Sequence, residues 1–493
     1  MTSAFAKTQS SLSPAVLAAL TQVIGAEGVI VDSLQLQTYE CDGLTAIRET
    51  ASAVVLPRTA EQVRDVVRIC AAHRVPFVAR GAGTGLSGGA VPVHGGVVIA
   101  STRMNRILNV DIDNQRIVVQ PGVINNHVSD RVRAAGYFYA PDPSSQSVCT
   151  IGGNVAENAG GAHCLKYGFT TNHVLGLQVV TPDGELVRLG SASFDATGYD
   201  LMGVFVGSEG TLGVVTEVTL RLVRKPECVQ VLLAAFDTIA AAAQTVSDII
   251  AASLLPAAIE IMDRLAVVAA EASVHPNYPQ CEALLLVEID GPTEEVDSQM
   301  AQVRQICRHN GAWEDRLARS AEERTRVWKG RKAAFAAAGR LAPNYIVQDG
   351  VIPRTKLPSI LEEIGRLASA AGLRLTNVFH AGDGNLHPIV LYDAAIPGQE
   401  ETAMALSLRI LEICVDAGGS ITGEHGVGLE KREAMSYMFA EPDLETMQRV
   451  RHAFDPENLA NPGKLFPRTR LCGERSTMHT PHPVEPAGAA EYF

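Results

Sequence analysis

Apolar and polar residues first settle into a regular pattern at Ala53-Val-Val-Leu56, an unbroken apolar run that predicts a short buried strand. Thr59-Ala-Glu-Gln62 follows as a capping box, and Val63, Val66, Val67 and Cys70 recur at helical spacing, so a helix is predicted to about His73. Ahead of these, Pro14 to Ile24 reads as a surface helix. Pro76-Phe-Val-Ala79, Val97 to Ala100 and Ile117 to Gln120 are the next strands. Pro121-Gly122 is a turn, and Asn125 to Ala135 is amphipathic with Val128 and Val132 inward. Val214 to Leu222 alternates as a half-buried strand does. This part of the chain is an α+β domain. Around Pro226 the composition shifts: Val231 to Phe236 and Ala283 to Ile289 predict strands, Ala240 to Leu254 and Glu295 to His309 helices. Thr402 to Asp416 is a helix ended by Gly418-Gly419, and a strand is predicted to run from there into Ile421.

Three glycine-rich segments interrupt the first domain. From Gly81 to Gly96 seven of sixteen residues are glycine, so backbone amides can turn inward and form a concave nest for an anion, with Arg80 adding a charge. Gly83-Thr-Gly-Leu-Ser-Gly88 matches G-x-G-x-x-G, but that dinucleotide motif needs a helix to open after the loop, and Gly85, Gly88, Gly89, Pro92, Gly95 and Gly96 break every helical window. Pro141 to Gly161 carries two Gly-Gly pairs bracketing Asn154 and Asn158, and Gly207-Ser-Glu-Gly-Thr-Leu-Gly213 is the third segment. Turn-making alone does not require three such loops in one domain.

At 493 residues the chain exceeds the size at which a single core stops growing, so two domains are expected. A net charge of −13, without a Lys/Arg cluster, excludes nucleic acid as the expected partner. The nine cysteines are scattered and odd in number with no C-x-x-C pair, which leaves no legible disulfide framework or iron–sulfur run and points to a reducing compartment. No segment approaches ~20 uninterrupted apolar residues, so no membrane span is expected.

The chemistry concentrates after residue 377. In Val378-Phe-His-Ala-Gly-Asp-Gly-Asn-Leu-His387, strand-like runs flank Gly382-Asp-Gly384, a hairpin connection that brings His380 and His387 across from each other. Two imidazoles so placed can share a metal, and Glu424 in Ile421-Thr-Gly-Glu-His-Gly-Val-Gly428 is the natural third ligand, as in catalytic zinc sites. Spacing alone leaves two surface histidines in a polar turn equally open.

Arg80 to Gly89, Pro141 to Gly161 and Val206 to Val215 resemble the three cofactor segments of the vanillyl-alcohol oxidase / p-cresol methylhydroxylase flavoprotein superfamily. The resemblance implies a two-subdomain FAD-binding domain and an α+β capping domain. It divides the protein into an N-terminal segment (1–48), the FAD-binding domain (49–226), a substrate and cap domain whose last segment returns to the flavin (227–467), and a tail (468–493). It places Arg80, Gly81, Gly83, Thr84, Gly85, Leu86, Ser87, Pro141, Asp142, Ser145, Gly152, Gly153, Asn154, Glu209, Gly210, Val215, Asn385 and Asn461 along the cofactor. Members with covalent FAD often carry His where this chain has Thr84, so non-covalent FAD is implied. HxGDGNxH and GEHGxG are similar to motifs of the D-2-hydroxyacid dehydrogenase branch. There His380, His387 and Glu424 correspond to ligands of a divalent metal, zinc being expected, His425 to the base and Arg331 to the substrate-carboxylate anchor. Without the resemblance, Arg331 reads as a solvated charge in the Arg-rich run Arg324 to Arg340.

Tyr39 to Leu44, His163 to Gly168 and Asn461 to Lys464 extend the resemblance to the FAD-linked subunits of glycolate oxidases. It implies oxidation of glycolate, or of D-lactate, by hydride transfer to flavin N5, with a second flavin-binding subunit and an iron–sulfur subunit as partners. A cytoplasmic location follows, peripheral at the inner face of the membrane. Members acting on 2-hydroxyglutarate have polar residues where this chain has Ile389 and Val347. A D-lactate or D-2-hydroxyglutarate dehydrogenase acting without partner subunits, a zinc hydrolase and a non-catalytic assembly subunit remain as alternatives. The Pro-rich tail from Arg468 to Phe493 lacks the periodicity to fold alone and reads either as a docking segment or as a frayed end.

Overall fold

The computed structural model describes residues 12–191 and 198–467, so the tail lies outside the described residues. Val29–Ile30, Ala53–Val55, Val97–Ala100 and Phe77–Arg80 form one sheet in that spatial order, the last three strands parallel. The Ala60–Ala72 helix connects Ala53–Val55 to Phe77–Arg80, its start fixed by Thr59 Oγ1 accepting from Gln62 N at 3.2 Å. It buries Val63, Val66, Val67 and Cys70, the four positions its periodicity selects. No α-helix follows the glycine loop; the backbone passes through a single 3₁₀ turn at Val93–Gly95 into the next strand.

A second sheet is antiparallel, with Ile107–Asp111, Arg116–Val119, Val214–Arg221, Val174–Val180 and Leu186–Gly190 in order. Val128 and Val132 of the Asn125–Val132 helix pack into its core. The second glycine-rich segment holds an unexpected helix, Ile151–Glu157, capped by Thr150. Two glycines cost a helix roughly 1 kcal/mol each. Packing requires one of them here, since a Cβ on Gly152 would lie 2.6 Å from Pro121 Cβ.

The third sheet has seven antiparallel strands: Glu314–Leu317, Cys228–Phe236, Ala283–Gly291, Ala258–Asp263, Arg374–His380, Pro388–Tyr392 and Asn344–Val347. Helices cover both faces. Ile239–Ala251, Thr293–His309, Leu357–Ala370 and Gln399–Asp416 take one face, Arg264–Val274 and Ala321–Ala337 the other. Leu285, Val287 and Ile289 therefore join one core and Leu284 and Leu286 the opposite one, which explains why this strand reads as continuously apolar. The strand expected after Gly418-Gly419 does not form. Only Ser420 makes a bridge, to Val351, because the amides that follow bond to side chains.

A polar latch joins the first domain to this sheet. His163 places Nδ1 2.9 Å from Asp142 Oδ2 and Nε2 3.0 Å from Glu288 Oε1, and Tyr167 donates to Asp290 at 2.6 Å. Burial by itself would lower the His163 pKa, but the Asp142 and Glu288 carboxylates overcome it and hold the ring well above its ordinary value. A raised folded value means stability that is fully present below the unfolded pKa of about 6.5 and lost as pH rises through the folded value. His163→Gln is expected to destabilise the protein by roughly 2 kcal/mol near pH ~6, less than a fully buried pair because the ring is partly exposed. The difference from wild type should shrink in the alkaline range; denaturant melts across pH check it, and a pH-independent difference would contradict the charged latch.

Candidate active site

A cavity of about 400 Å³ runs along all three glycine-rich segments and ends at the loop holding Glu424 and His425. Arg80, Gly81, Gly83, Thr84, Gly85, Leu86, Ser145, Gly152, Gly153, Asn154, Glu209, Gly210 and Val215 line it, as expected of cofactor residues. Gly85 and Gly153 have ordinary φ, and a Cβ on either would meet no protein atom nearer than 3.4 Å. Neither backbone strain nor packing calls for glycine there, so the missing side chains serve to keep the cavity wide enough for a ligand. Thr84 offers no imidazole for a covalent flavin link.

Five expected cofactor residues lie off the cavity. Ser87 is fully buried and accepts Leu429 N and Glu430 N on its carbonyl. Pro141 accepts Asn125 Nδ2, and Asp142 is spent on His163. Asn385 sits under the Thr422–Gly428 loop, where a Cβ on Gly423 would come within 2.6 Å of its side chain. Asn461 donates to Gly89 O at 2.8 Å and Glu209 O at 2.7 Å, tying two cofactor segments together from behind. Arg80 bonds Cys41 O at 2.8 Å and Ala90 O at 3.5 Å, so its guanidinium ties the loop it was expected to charge to the Tyr39–Leu44 segment.

The hairpin of Arg374–His380 and Pro388–Tyr392 brings the His380 and His387 ring centroids to 5.1 Å. Glu424 Oε1 stands 3.2 Å from His380 Nε2 and 3.4 Å from His387 Nε2. Two donors at ~2.0–2.1 Å from one tetrahedral ion stand roughly 3.3 Å apart, so this set suits a zinc-like ion. His387 points the same way: it is completely buried, yet neither ring nitrogen has a hydrogen-bond partner. His380 Nδ1 is held by Glu260 Oε1 at 2.7 Å, the outer carboxylate that orients metal-binding histidines.

Arg331 shares that carboxylate. It is buried, donates Nε–H to Glu260 Oε2 at 2.7 Å and does not line the cavity, so the solvated-charge reading is wrong and a direct reach to substrate is not seen. Its Nη2 lies 2.5 Å from the same oxygen without hydrogen-bond geometry. Lys332, Phe335, Tyr345 and Val347, from the same helix and the strand beyond it, do line the cavity. Ile389 pairs with Val347 across the sheet and shares its core, but is fully buried and does not line the cavity.

Burial, then His387 and Lys431, hold the His425 imidazole down at about 4, so it is neutral at neutral pH, the form a base requires. Its ring stacks on His387 at 4.9 Å. Burial would raise Glu424, but His380, His387 and His425 draw it to about 2. Asp349 is likewise kept well below the usual carboxylate range, since His425, Lys431 and His387 outweigh burial. Sequence reading missed Glu260, Asp349 and Lys431. The signal for Glu260 was an acid inside the apolar run Ala258-Ile-Glu-Ile-Met262, where an unpaired charge is not tolerated; Asp349 and Lys431 carry none.

Residues 51–190 match the FAD binding domain family and residues 225–465 match the C-terminal domain of FAD linked oxidases. Glycolate oxidase subunit GlcD of Escherichia coli (strain K12) is 47% identical over 479 residues, 97% of this chain and 96% of that protein. GlcD of Bacillus subtilis (strain 168) is 40% identical, covering 92% and 98%. A D-lactate dehydrogenase of Anaerostipes hadrus is 33% identical, covering 82% and 87%. Among solved structures, p-cresol methylhydroxylase with substrate bound superposes with a TM-score of 0.77 at 18% identity over 92% of this chain and 96% of that one, a likeness of fold. With three glycine segments lining one cavity, a two-histidine carboxylate cluster at its end and these relatives along nearly its whole length, the chain belongs to the FAD-linked oxidoreductase family that contains glycolate oxidase subunit GlcD.

Proposed function

We propose that this chain oxidises a small 2-hydroxy acid, glycolate or D-lactate, to the 2-oxo acid. The observation that carries the reading is that Glu424 and the neutral His425 open onto the same cavity as the glycine-rich segments. Bound flavin supplies hydride acceptance, and a divalent ion, zinc being the candidate, supplies Lewis acidity at the substrate hydroxyl. His380, His387 and Glu424 would hold the ion. His425 takes the hydroxyl proton at Nε2, the ring nitrogen that lies 4.0 Å from Glu424 Oε1. Arg331 lies off the cavity, so its role in this reading is indirect: it shares the Glu260 carboxylate with His380 and helps hold that ligand in place.

Val347 faces the cavity as an apolar wall, so a second carboxylate on the substrate would be desolvated there without a partner. Glycolate and D-lactate are expected to reduce the flavin at least about tenfold faster than D-2-hydroxyglutarate, a difference of roughly 1.4 kcal/mol. Stopped-flow absorbance near ~450 nm, the flavin band, measures it. No reduction by any 2-hydroxy acid would defeat the function, and equal kcat/KM for all three acids would defeat the specificity.

The relatives named as glycolate oxidase subunits support a multi-subunit assembly; in this reading partner subunits receive the electrons, one binding flavin and one carrying iron–sulfur clusters. Among the described residues no helix is long and apolar enough to cross a membrane; in this reading any membrane contact at its inner face comes through those partners.

A further inference from the structure

The loop Thr422–Gly428 carries both a candidate metal ligand and the candidate base, yet the His425 ring is not held by a hydrogen bond. Its Nδ1 is buried without a partner, and among the described residues no group bonds Nε2. What aims the ring is therefore the backbone beneath it and the stack on His387. That backbone is held from two sides. Asp349 Oδ2 accepts Gly423 N at 3.0 Å, Glu424 N at 3.2 Å, His425 N at 2.9 Å and Thr422 Oγ1 at 2.5 Å. Lys431 Nζ, fully buried, bonds Gly426 O at 3.1 Å and lies 3.3 Å from the same Asp349 oxygen. From the other side, Glu209 Oε1 accepts Val427 N at 2.6 Å and Oε2 accepts Gly428 N at 2.7 Å.

Glu209 belongs to the third cofactor segment, 218 residues earlier in the sequence than Val427. Its backbone has φ 52°, a left-handed conformation that is strained for a non-glycine residue and persists only where the surroundings over-determine it. Here they do: Glu209 N donates to Ala156 O at 2.8 Å and Glu209 O accepts Asn461 Nδ2 at 2.7 Å. The turn it grips has no slack. Gly426 and Gly428 both have positive φ, and a Cβ on Gly428 would lie 2.2 Å from Ser87 O. Nearby, burial and then the Glu209 carboxylate push Glu157 well above the usual carboxylate range, while two backbone N–H groups oppose burial at Glu209.

We propose that Glu209 is a positioning residue: its carboxylate clamps Val427 and Gly428 and so fixes His425 of the cap against the cofactor cavity, while Asp349 fixes the same loop to the metal ligands. The proposal rests on the function proposed above. It also reassigns Glu209: the residue lines the cavity, but its carboxylate is committed to the loop.

Glu209→Gln preserves shape but leaves one of the two amides facing an NH₂ group. In FAD-loaded, zinc-loaded protein it is expected to retain FAD and zinc and bind glycolate within about threefold of wild type. The limiting rate of flavin reduction should fall 10–100-fold, the scale on which an ångström of misplacement acts. Hydrogen exchange at the Val427 and Gly428 amides should accelerate in the same variant. An unchanged limiting rate, or a loss matched by equal losses of glycolate and FAD affinity, would overturn the positioning role. If Glu209→Gln does not fold, Glu209→Asp, which keeps the charge but is one methylene short, decides: the same split with a smaller loss is expected, and wild-type rates would overturn it. Should the wild-type flavin not be reduced by any 2-hydroxy acid, the proposed function falls on that result. The clamp would then be judged by exchange alone, where unchanged protection of Val427 and Gly428 rejects it.

Discussion

Exchanging His425 for glutamine is expected to lower the rate constant for flavin reduction by glycolate about 10²–10⁴-fold, the usual contribution of a positioned general base. Glutamine keeps the approximate size of the side chain and removes the proton acceptor. The effect should fall on the chemical step, because the glycine segments that line the long part of the cavity do not involve His425. FAD content, read from absorbance of the purified variant, should match wild type. The neutral state of the imidazole at neutral pH is a consequence of burial and of the neighbouring His387 and Lys431, so the wild-type protein needs no further activation of this group. A variant that reduces its flavin within about threefold of wild type would place the base elsewhere, because a general base contributes far more than that.

Removal of the metal is expected to have a comparable effect through different residues. Chelator treatment, or His387→Ala, should abolish reduction by glycolate, a loss of at least about 100-fold, while the flavin stays bound. Burial makes this sharp: His387 is fully buried at the centre of the cluster, with Glu424 Oε1 and Asp349 Oδ1 each 3.4 Å from Nε2, and His380 is already oriented by Glu260, so loss of this donor leaves an incomplete set. Metal content per polypeptide and stopped-flow reduction, measured on the same sample, check it. Normal reduction by protein shown to be metal-free would mean that the cluster does not take part in the reaction.

Parts of the fold were legible because they obey local rules. The Ala60–Ala72 helix announces itself by cap and periodicity, and the hairpin turn at Gly382-Asp-Gly384 makes His380 and His387 neighbours. The helix at Ile151–Glu157 was not legible, because two glycines argue against a helix and only its packing on Pro121 reverses that. Asn385 and Asn461 could be placed near the site from their motifs, but their motifs do not say whether they touch a ligand or brace the backbone that does.

The division has a physical cause. Periodicity, caps and turns act over a few residues, so elements such as the Ala60–Ala72 helix, the glycine row and the presence of a two-histidine motif were determined by the sequence alone. Pairings between distant charges depend on which elements the folded sheets bring together. Glu260 with Arg331 and His380, Asp349 with the Thr422–Gly428 loop, and Glu209 with Val427 are separated by 71 to 218 residues. Each was decided only in the tertiary structure, because a buried carboxylate takes whichever amide or cation shares its water-free space, and the local sequence around it does not name that partner.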